Sequence, residues 1–428
     1  MNGKILTLLL VSFGLLLAGL FMHIADLAWM ALPFLVYLGV GVLQAPAGEQ
    51  VRLRAERRVE KHLTGEVPSV EVCVTVTNPG QQTVHLAIAD ELQSGMRITD
   101  GALRTLAVLP PGGAADLRYT FSAGRGMFFW HTVRVALGDP FGLIETRLDL
   151  PAEGRVYVLP ELKKLRPFPL RLEHTLQTPG SIPARVAGSG TEFWGVREYQ
   201  PGDPLRRLDW RRMARHPRQL FTREFEQEQI ADIGLVVDAR QKTDLGVGEE
   251  SLFEHSIRAV AGLAEVFLRQ GNRLSLLIYG KRYSSLFPGY GKEQLNRVLH
   301  TLSQAVPQPE SSGEGLQFIP VNMFPSHCLI IVLSPLAQDD WRLFQRLRAY
   351  GYQALLISPD PIRFATRWLP SDHLTLLATR MAQVERHIQL SRITGMWIPV
   401  IDWQVGQPLA PLVRTALGRP PRALAARG

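Results

Sequence analysis

The chain has 428 residues, of which 46% are hydrophobic and 20% charged, and its formal net charge is +8 at pH 7. This length is too great for one ordinary domain and allows two, each with its own core. The two cysteines, Cys73 and Cys328, are far apart in sequence, which excludes a disulfide framework or a cluster of thiolate metal ligands. The positive charge favours anionic partners, such as phospholipid headgroups, nucleic acid or acidic protein surfaces, without choosing among them.

Two apolar stretches lie near the start of the sequence, within residues 1–49. Residues 5–22 are uncharged and mostly apolar, and a second apolar stretch, residues 27–43, begins after the segment HIAD. At ~1.5 Å per residue each stretch covers roughly 26 Å, so the sequence predicts two membrane-spanning helices. A cleaved signal peptide is the alternative interpretation, but the rapid return of the apolar pattern favours two spans.

Basic residues flank both apolar stretches, whereas the short segment between them has no lysine or arginine. Lys4 precedes the first stretch. The basic residues that follow the second are Arg52, Arg54, Arg57, Arg58 and Lys61. The positive-inside rule therefore places both termini and the bulk of the chain in the cytoplasm of a bacterium, at its inner membrane. The same basic residues are predicted to contact the anionic headgroups of the phospholipid bilayer.

Residues 50–160 have the alternating pattern of an all-β sandwich domain. In VEVCVTVTN, residues 70–78, apolar side chains alternate with Glu and Thr, as in strands that bury one face. Similar segments follow, and the turn sequences NPG, SG, PPGG and AGRG separate them at intervals of about ten residues. DPFGL, residues 139–143, predicts a turn anchored by Phe141.

Residues 231–404 predict a doubly wound α/β domain. Five short apolar runs, ADIGLVVDA, RLSLLIYG, CLIIVLSP, QALLISP and MWIPVIDW, are separated by segments long enough for helices. This pattern is typical of parallel strands that are buried on both faces. The clearest helix begins after Ser251, has Glu254 at the capping-box spacing, and ends at Gly271. Residues 405–428 are interpreted as a loose basic tail.

The predicted linker between these domains, residues 161–230, carries a strongly charged motif. Residues 193–228 hold eight arginines and six carboxylates, so their net charge is only +2. Together with the residues just before it, this motif resembles the signature of the bacterial domain of unknown function 58 family. The matching residues are Gly190, Glu192, Phe193, Arg197, Tyr199, Gly202, Asp203, Arg207, Asp209, Trp210, Ala214 and Arg215. The resemblance extends to the N-terminal apolar stretches, the DPFGL turn and the α/β segment.

The resemblance implies that the α/β domain is similar to a von Willebrand factor A domain. It also implies a MoxR-type AAA+ ATPase as partner, often alongside a transglutaminase-like membrane protein. The resulting hypothesis is a membrane-anchored adaptor or scaffold in protein assembly or cell-envelope processes, with no nucleic acid as its partner. The alternative hypothesis is a peripheral sensor that binds anionic lipid or nucleic acid through its arginines, with Arg211 and Arg212 as the residues to test.

The sequence departs from this resemblance at the metal site of von Willebrand A domains. Such a site has an acid at the end of its first strand, hydroxyls two and four residues later, and a second acid after the fourth strand. These are oxygen ligands that suit Mg²⁺. Asp238 supplies the first acid, but Arg240 and Lys242 stand at the two positions where hydroxyls are expected. Ser334 and Pro335 stand where the second acid is expected.

This departure predicts a site without a metal. Two cationic side chains at ligand positions repel a divalent cation, so no metal and no other cofactor is expected. Asp238 is predicted to pair with Arg240 or Lys242, so that a cationic side chain replaces the ion. The alternative is that the Asp238 carboxylate only caps the end of its strand.

The charged motif also predicts a local structure. The turn PGDP, residues 201–204, precedes LRRLDWRRMAR, residues 205–215, and Asp203 is predicted to cap a helix over that segment. The side chains predicted to face inward are Leu205, Leu208, Trp210 and Met213. The arginines predicted to form a basic ridge, at four-residue spacing, are Arg207, Arg211 and Arg215.

Three interpretations of the motif are open. The first is structural: its arginines form partly buried ion pairs that lock two domains together. The pairs predicted in this case join Arg197, Arg207 and Arg215 to Glu192, Asp203 and Asp209. In the second, Trp194, Tyr199 and the arginines anchor a partner protein. In the third, the arginines bind phosphate of lipid or nucleic acid, although a net charge of +2 is low for a nucleic-acid surface.

No catalytic constellation is visible in the sequence, and the chain is predicted not to be an enzyme. Gly188, Ser189 and Gly190 lack the lysine of a phosphate-binding loop, and neither HExxH nor GxSxG occurs. His216 lies beside Pro217 in a basic segment, where a solvated side chain is expected. A site assembled from distant loops is the alternative that these patterns do not test.

Overall fold

The fold is described from a computed structural model of the chain. The described residues are 3–43, 52–62, 69–138, 145–162, 165, 182–216, 219–247, 250–309, 315–370 and 372–418. The chain divides into two compact units, Met1–Val158 and Leu159–Gly428. The predicted DPFGL turn with Phe141, and Pro217, lie outside the described residues.

The N-terminal part of the first unit is helical. Its helices are α1 (Gly3–Met22), α2 (Ala25–Trp29) and α3 (Leu32–Leu43). Among the described residues, one helix, Lys4–Met22, is long and apolar enough to cross a membrane. The first predicted span therefore corresponds to one helix of suitable length.

The second predicted span, residues 27–43, is not one continuous helix but divides into α2 and α3. Pro33 explains the break: its nitrogen has no hydrogen to donate, and its ring clashes with the carbonyl of Trp29 in a continuous helix. Helix α2 ends at Trp29, and the backbone bonds resume where the Leu35 N–H donates to the Ala31 carbonyl at 3.1 Å.

The rest of the first unit is a β-sandwich. Its strands are β1 (Arg54–His62), β2 (Ser69–Thr77), β3 (Val84–Ala89), β4 (Met96–Gly101), β5 (Arg104–Leu109), β6 (Ala114–Ala123), β7 (Gly126–Gly138) and β8 (Glu145–Val158). The described strands form two antiparallel sheets, in the orders β1-β2-β6-β4 and β5-β3-β7-β8. The sheet-rich domain predicted from the alternating pattern is therefore present.

The sandwich core follows from the alternation of side chains along its strands. In β2, Val70, Val72, Val74 and Val76 are at most 1% exposed, whereas the residues between them are partly exposed. The core also contains an aromatic group, in which the Phe121 ring meets the rings of Phe128 and Trp130 edge-on. The local period of two was thus sufficient to predict this strand.

One of the basic residues assigned to the membrane surface lies inside the sandwich. The Arg57 side chain is fully buried and donates to Asp90 Oδ1 at 2.7 Å, to the Ala152 carbonyl at 2.5 Å and to the Thr132 carbonyl at 3.3 Å. The expectation that Arg57 contacts headgroups is therefore wrong. The alternation of β1 explains the difference, because it turns Arg57 inward while Arg54 and Arg58, on the opposite face of the strand, stay exposed. Arg52, just before the strand, and Lys61, near its end, are exposed as well.

The second unit begins with an antiparallel pair of strands that contains the charged motif. Strand β9 (Ile182–Glu198) pairs with β10 (Phe221–Gln229), and Glu198 lies opposite Phe221. The described part of the connection between the strands contains a short 3₁₀ turn, Leu205–Arg207, and helix α4 (Trp210–Arg215). Within the segment interpreted as a linker, the described residues from Ile182 onward therefore form a hairpin of two strands with a longer connection between them.

The remainder of the second unit is an α/β fold. Its strands are β11 (Asp232–Asp238), β12 (Gly246–Val247), β13 (Glu250–Ser251), β14 (Arg273–Tyr279), β15 (Ser284–Gly289), β16 (Leu329–Leu333), β17 (Gln353–Pro359) and β18 (Val400–Trp403). The main sheet of the described strands has the order β15-β14-β11-β16-β17-β18. Its strands are parallel except β15, which the sequence did not predict.

Helices cover both faces of this sheet. They are α5 (Leu252–Arg269), α6 (Gly291–Gln304), α7 (Trp341–Ala349), α8 (Pro361–Ala365), α9 (His373–Gly395) and α10 (Leu409–Gly418). One face packs against α5, α6 and α10, and the other against α7 and α9. The doubly wound order places the carboxyl ends of β11 and β16, between which the winding reverses, at the usual ligand-binding edge.

Two sequence predictions about helices have different outcomes. The Ser251 hydroxyl accepts the Glu254 N–H at 3.2 Å, and the chain leaves α5 through Gly271 at a φ of 79°, as the capping pattern predicted. The predicted tail, by contrast, contains α10, whose Leu409 and Val413 are buried in the core. Arginines and prolines surround this short segment, but its apolar residues recur at helical spacing and form the buried face of α10.

Candidate functional site

An arginine occupies the carboxyl edge of the main sheet. Asp238 is the last residue of β11, and Arg240 follows two residues later. Ser334 lies just after β16, and Asp340 lies just before α7. These four side chains, which we call the Arg240 cluster, are between 0% and 4% exposed.

The Arg240 guanidinium joins the two acids. Its Nε and Nη2 donate to the two Asp238 oxygens at 2.8 and 2.7 Å. Its Nη1 and Nη2 donate to the two Asp340 oxygens at 3.1 and 2.7 Å. This geometry is the planar, bidentate recognition of carboxylates that arginine provides and lysine does not.

The remaining acceptor positions of both carboxylates are also filled. The Arg240 N–H and the Ser334 hydroxyl donate to Asp238 at 3.1 and 2.7 Å. The N–H groups of Leu316 and Ala337 donate to Asp340 at 3.1 and 2.6 Å. Each of the four carboxylate oxygens therefore accepts two hydrogen bonds, which matches its two lone pairs.

The electrostatics of the cluster hold Arg240 in its charged form. Burial on its own lowers the pKa of this guanidinium, because an apolar environment disfavours charge. The hydrogen bonds and negative charges of Asp238 and Asp340 outweigh that effect and raise the pKa of Arg240. The guanidinium is thus a permanent cation that balances one of two buried negative charges.

This donor set does not fit a divalent cation. A metal ion coordinates through oxygen lone pairs, and those of Asp238 and Asp340 already accept hydrogen bonds. The guanidinium also stands between the two acids, where an ion would need to lie. The Lys242 side chain is not among those the structure describes. Within the described part of the chain, no group of three or more His, Cys, Asp or Glu side chains could hold a metal.

Asp340 is the member of the cluster that sequence analysis missed. The resemblance predicts the second acid at Ser334 and Pro335, directly after β16, whereas Asp340 stands in the loop that leads to α7. Leu336 adopts a φ of 69°, and the Ala337 N–H then points to the Asp340 carboxylate. A left-handed leucine is uncommon, so a sequence pattern could not have predicted this turn.

A second buried arginine, Arg386, donates hydrogen bonds to residues at the same edge of the sheet. Arg386 of α9 donates to the Pro335 carbonyl at 3.2 Å, to the Ser358 carbonyl at 3.1 Å and to Asp402 Oδ1 at 2.6 Å. These acceptors follow β16 or belong to β17 and β18. Arg386 was not predicted, because its helix lies far along the chain from the strand ends that it joins.

The charged motif holds a different, more exposed network. Arg197 donates to both Asp203 oxygens at 2.7 and 2.8 Å, and to Glu224 at 2.8 Å. The Gln200 N–H also donates to Asp203, at 2.9 Å. The hydrogen bond from Arg197, followed by that from Gln200, lowers the pKa of Asp203. These contacts fix the end of the hairpin where the chain leaves β9.

The predicted helix of the motif is wrong in its start and its cap. A short 3₁₀ turn precedes Leu208, which is extended, and α4 then begins at Trp210. Its cap is Asp209, whose Oδ1 accepts the Arg212 N–H at 3.1 Å, and Asp203 is instead the partner of Arg197. The Asp209 N–H donates to the Phe221 carbonyl at 2.8 Å, so pairing with β10 interrupts the helix.

The break in the helix also changes which side chains share a face. Leu208 is 4% exposed, as expected for an inward side chain, but Leu205 and Trp210 are 68% and 65% exposed. Met213 is partly buried. Arg207 lies outside α4, so the predicted ridge is reduced to Arg211 and Arg215, both of which are exposed.

The exposed side chains on and beside α4 form what we call the α4 surface. They are Leu205, Trp210, Arg211, Arg212, Arg215 and Leu220. The α4 segment is tied to β10, because Leu208 pairs with Thr222 and the Arg212 guanidinium lies 5.1 Å from the Phe221 ring centre. Exposed apolar side chains among arginines are the composition of protein-binding surfaces.

The predicted ion pairs of the motif are only partly those in the structure. Arg197 pairs with Asp203 and Glu224, both within the second unit. The side chains of Glu192 and Trp194 are outside those the structure describes. Tyr199 is partly exposed, and its N–H donates to the Leu220 carbonyl at 2.9 Å. His216 is exposed, as predicted, with its ring 5.9 Å from that of Phe221.

Solved structures with some likeness to this chain cover only parts of it at low scores. A FixG-related protein from Vibrio parahaemolyticus has a TM-score of 0.17 and 15% identity, and the match covers 24% of this chain and 94% of that one. A PapD-like domain of human CEP192 has a TM-score of 0.18 and 18% identity, covering 26% and 89%. Scores this low support no statement about fold or function.

Sequence comparisons are more informative. The family model described as "Protein of unknown function DUF58" matches residues 195–358. "Uncharacterized protein YeaD" of Bacillus subtilis is 28% identical over 281 residues, which cover 64% of this chain and 67% of that protein. An uncharacterized protein of Mycobacterium tuberculosis is 29% identical over 133 residues, which cover 30% of this chain and 41% of that protein. The matched region contains the Arg240 cluster and nearly all of the charged motif, and these matches support the DUF58 family for this chain.

Proposed function

We propose that this protein is a membrane-anchored adaptor whose α4 surface binds a MoxR-type AAA+ ATPase, in protein assembly or cell-envelope processes. The observation that carries the proposal is the exposure of Trp210 and Leu205 beside Arg211 and Arg212 on a segment fixed by backbone pairing to β10. Tryptophan and arginine are the residue types that dominate binding energy at protein interfaces.

We infer that the α/β unit is similar to a von Willebrand A domain in which an internal cation replaces the metal. Asp238 ends the central strand, as the first acid of such a site does, and Asp340 follows the next parallel strand on that side. With Arg240 between these acids, a partner could not complete the coordination of a metal at this edge. The exposed α4 surface, which needs no ion, is then the better candidate for partner binding.

Helix α1 supports membrane anchoring, because Lys4–Met22 is long and apolar enough to cross a bilayer. We propose a hairpin of two spans at the bacterial inner membrane, with both termini in the cytoplasm. The second span would be the shorter apolar helical stretch Ala25–Gly41, which is interrupted between α2 and α3. The basic residues after the apolar stretches favour this orientation. Such an anchor would hold an ATPase and a membrane client, such as a transglutaminase-like protein, close to each other.

The proposal is tested by affinity purification of the tagged full-length protein from its native membrane, with a slowly hydrolysed ATP analogue, followed by mass spectrometry. Wild type is compared with Trp210→Ala/Arg211→Ala. Trp397→Ala is the matched control, because Trp397 is 64% exposed against 65% for Trp210 and lies in another part of the unit. Neither variant removes a buried contact, so both should fold.

Recovery of an AAA+ ATPase with wild type and the control, and its loss with the double variant, is the expected result. Equal recovery with all three proteins contradicts the assignment of the α4 surface. If no ATPase is recovered and the wild type binds anionic lipid micelles through Arg211 and Arg212, the adaptor proposal fails and the sensor hypothesis replaces it.

A further inference from the structure

Helix α9 has two apolar faces, of which the protein itself covers one. Arg386, Leu390 and Ile393 are buried, and the two apolar residues pack in the core on one face of the main sheet. They define the inner face of the helix. A surface helix normally presents polar side chains on its other face.

The outer face of α9 instead carries a continuous apolar stripe. Its members are Leu374, Leu377, Met381, Val384 and Ile388, which are 74%, 50%, 61%, 60% and 47% exposed. At 3.6 residues per turn they fall within an arc of about 80° that lies opposite the inner face. The sheet cannot cover this stripe, because the inner face occupies that side of the helix.

The spacing of the stripe is that of a coiled coil. Its members follow each other at alternating steps of three and four residues, which are the a and d positions of two heptads and the first a position of a third. Apart from Leu376, the exposed large apolar side chains of α9 are confined to those positions. Such a stripe is the narrow seam of paired helices rather than the wider apolar face that packs on a globular core. The seam therefore fits a single helix as its partner.

The charged residues beside the seam indicate the identity of the partner helix. With Leu374 and Met381 at a positions, Arg380 is at g and Glu385 is at the following e, and both side chains are exposed. In a parallel, in-register pair of identical helices, the g residue of one chain lies beside the next e residue of the other. Arg380 of each copy would then face Glu385 of the other, which gives two attractive contacts.

We propose that α9 pairs with α9 of a second copy of this chain as a short, parallel, two-stranded coiled coil. The proposal does not depend on the ATPase partnership, because the α4 surface has no part in it. Two heptads form a seam of only about 21 Å, so pairing is expected to be weak in dilute solution and stronger where copies are concentrated.

The orientation is tested by oxidative crosslinking of the full-length protein in native membranes. A Leu374→Cys variant should form a covalent dimer, because residues at an a position face each other in a parallel pair. An antiparallel pair centred on Met381 would separate these residues by about 21 Å and prevent the bond. Leu376→Cys is the control, since Leu376 is 55% exposed on the same helix but lies off the seam. Wild type controls for the native cysteines.

The seam and its charges are tested by substitution. In the same membranes, Leu377→Glu should reduce the Leu374→Cys crosslink by about tenfold or more, whereas Leu376→Glu should leave it unchanged. Arg380→Glu and Glu385→Arg should each weaken the crosslink, and their combination should restore it. Absence of the Leu374→Cys dimer, equal effects of the two glutamate substitutions, or failure of the charge exchange to restore the crosslink would each overturn the proposal.

Discussion

The Arg240 cluster and the α4 surface use the same side chain in opposite ways. Arg240 is 2% exposed, and its guanidinium meets two acids whose every acceptor position is filled. Arg211 and Arg212 are exposed and stand beside apolar side chains that no part of the described chain covers. The number of arginines in a segment therefore does not reveal their role. Whether each guanidinium is buried and hydrogen-bonded to carboxylates, or exposed to solvent, distinguishes a structural arginine from one available for binding.

This difference suggests a division of work within the α/β unit. The carboxyl edge of the sheet, where such folds usually bind ligands, is closed by Arg240 and Arg386 from within. The α4 surface, like the exposed stripe of α9, keeps apolar side chains that no part of the described chain covers.

The largest effect is expected from removal of the buried cation. Arg240→Met should lower the free energy of unfolding by about 3–5 kcal/mol, because it leaves Asp238 and Asp340 buried without a counterion. Denaturant unfolding of the purified protein measures this loss. Arg297→Met is the matched control, since Arg297 is 62% exposed and should change stability by less than about 0.5 kcal/mol. A loss for Arg240→Met as small as that of the control would contradict a structural role for this guanidinium.

A second substitution should convert the cluster into a metal site. Arg240→Ser removes the cation and restores a hydroxyl two residues after Asp238, so Mn²⁺ should raise the midpoint of thermal unfolding. A concentration of 100 times the Kd corresponds to about 2.7 kcal/mol of stabilisation. Arg240→Ser/Asp238→Ala is the control that should not respond. If Mn²⁺ stabilises neither variant, the result contradicts the claim that the Arg240 guanidinium occupies the place of a metal ion.

A smaller effect is expected where α4 begins. Asp209→Ala removes the side chain that accepts the Arg212 N–H, and loss of such a cap costs about 1 kcal/mol. Hydrogen exchange should accelerate in residues 210–215 and leave the main sheet unchanged. Asp209→Asn, which keeps an acceptor, should behave as wild type. Unchanged exchange in the alanine variant would mean that β10, rather than this cap, fixes the α4 surface.

The smallest effect concerns pH. The hydrogen bond from Arg197 lowers the pKa of Asp203 in the folded protein, so its contribution to stability is present above the unfolded pKa of about 3.9. That contribution disappears as the pH falls through the lowered folded value. The protection of the Gln200 N–H, measured as its exchange rate relative to the intrinsic rate at each pH, should therefore stay high at pH 4 and fall only at lower pH. Asp203→Asn should weaken this protection throughout. Loss of protection already above pH 4 in wild type would contradict the pair.

Local patterns predicted much of this fold. The alternating valines of β2, the Ser251 cap of α5 and the apolar runs of the parallel strands each carry their information within a few residues. The ion pair of Asp238 with Arg240 could also be predicted, because only one residue separates the two in sequence. Such features depend on neighbours in sequence, which a single chain displays directly.

Features that depend on contacts between distant segments were missed. Asp340 lies 100 residues from Arg240 in sequence, and its position depends on the left-handed backbone of Leu336. Asp209 rather than Asp203 caps the helix, because pairing of the motif with β10 interrupts the helix at Leu208 and Asp203 pairs with Arg197. In each case tertiary hydrogen bonds overrode a local preference that was itself reasonable.

The most direct test of the central claim, that Arg240 takes the place of a metal ion, is a calorimetric titration of the purified full-length protein with Mg²⁺ and with Mn²⁺. We expect no saturable heat from the wild type, because the acceptor positions of Asp238 and Asp340 are already filled. Binding in the micromolar range that Asp238→Ala abolishes would contradict this claim.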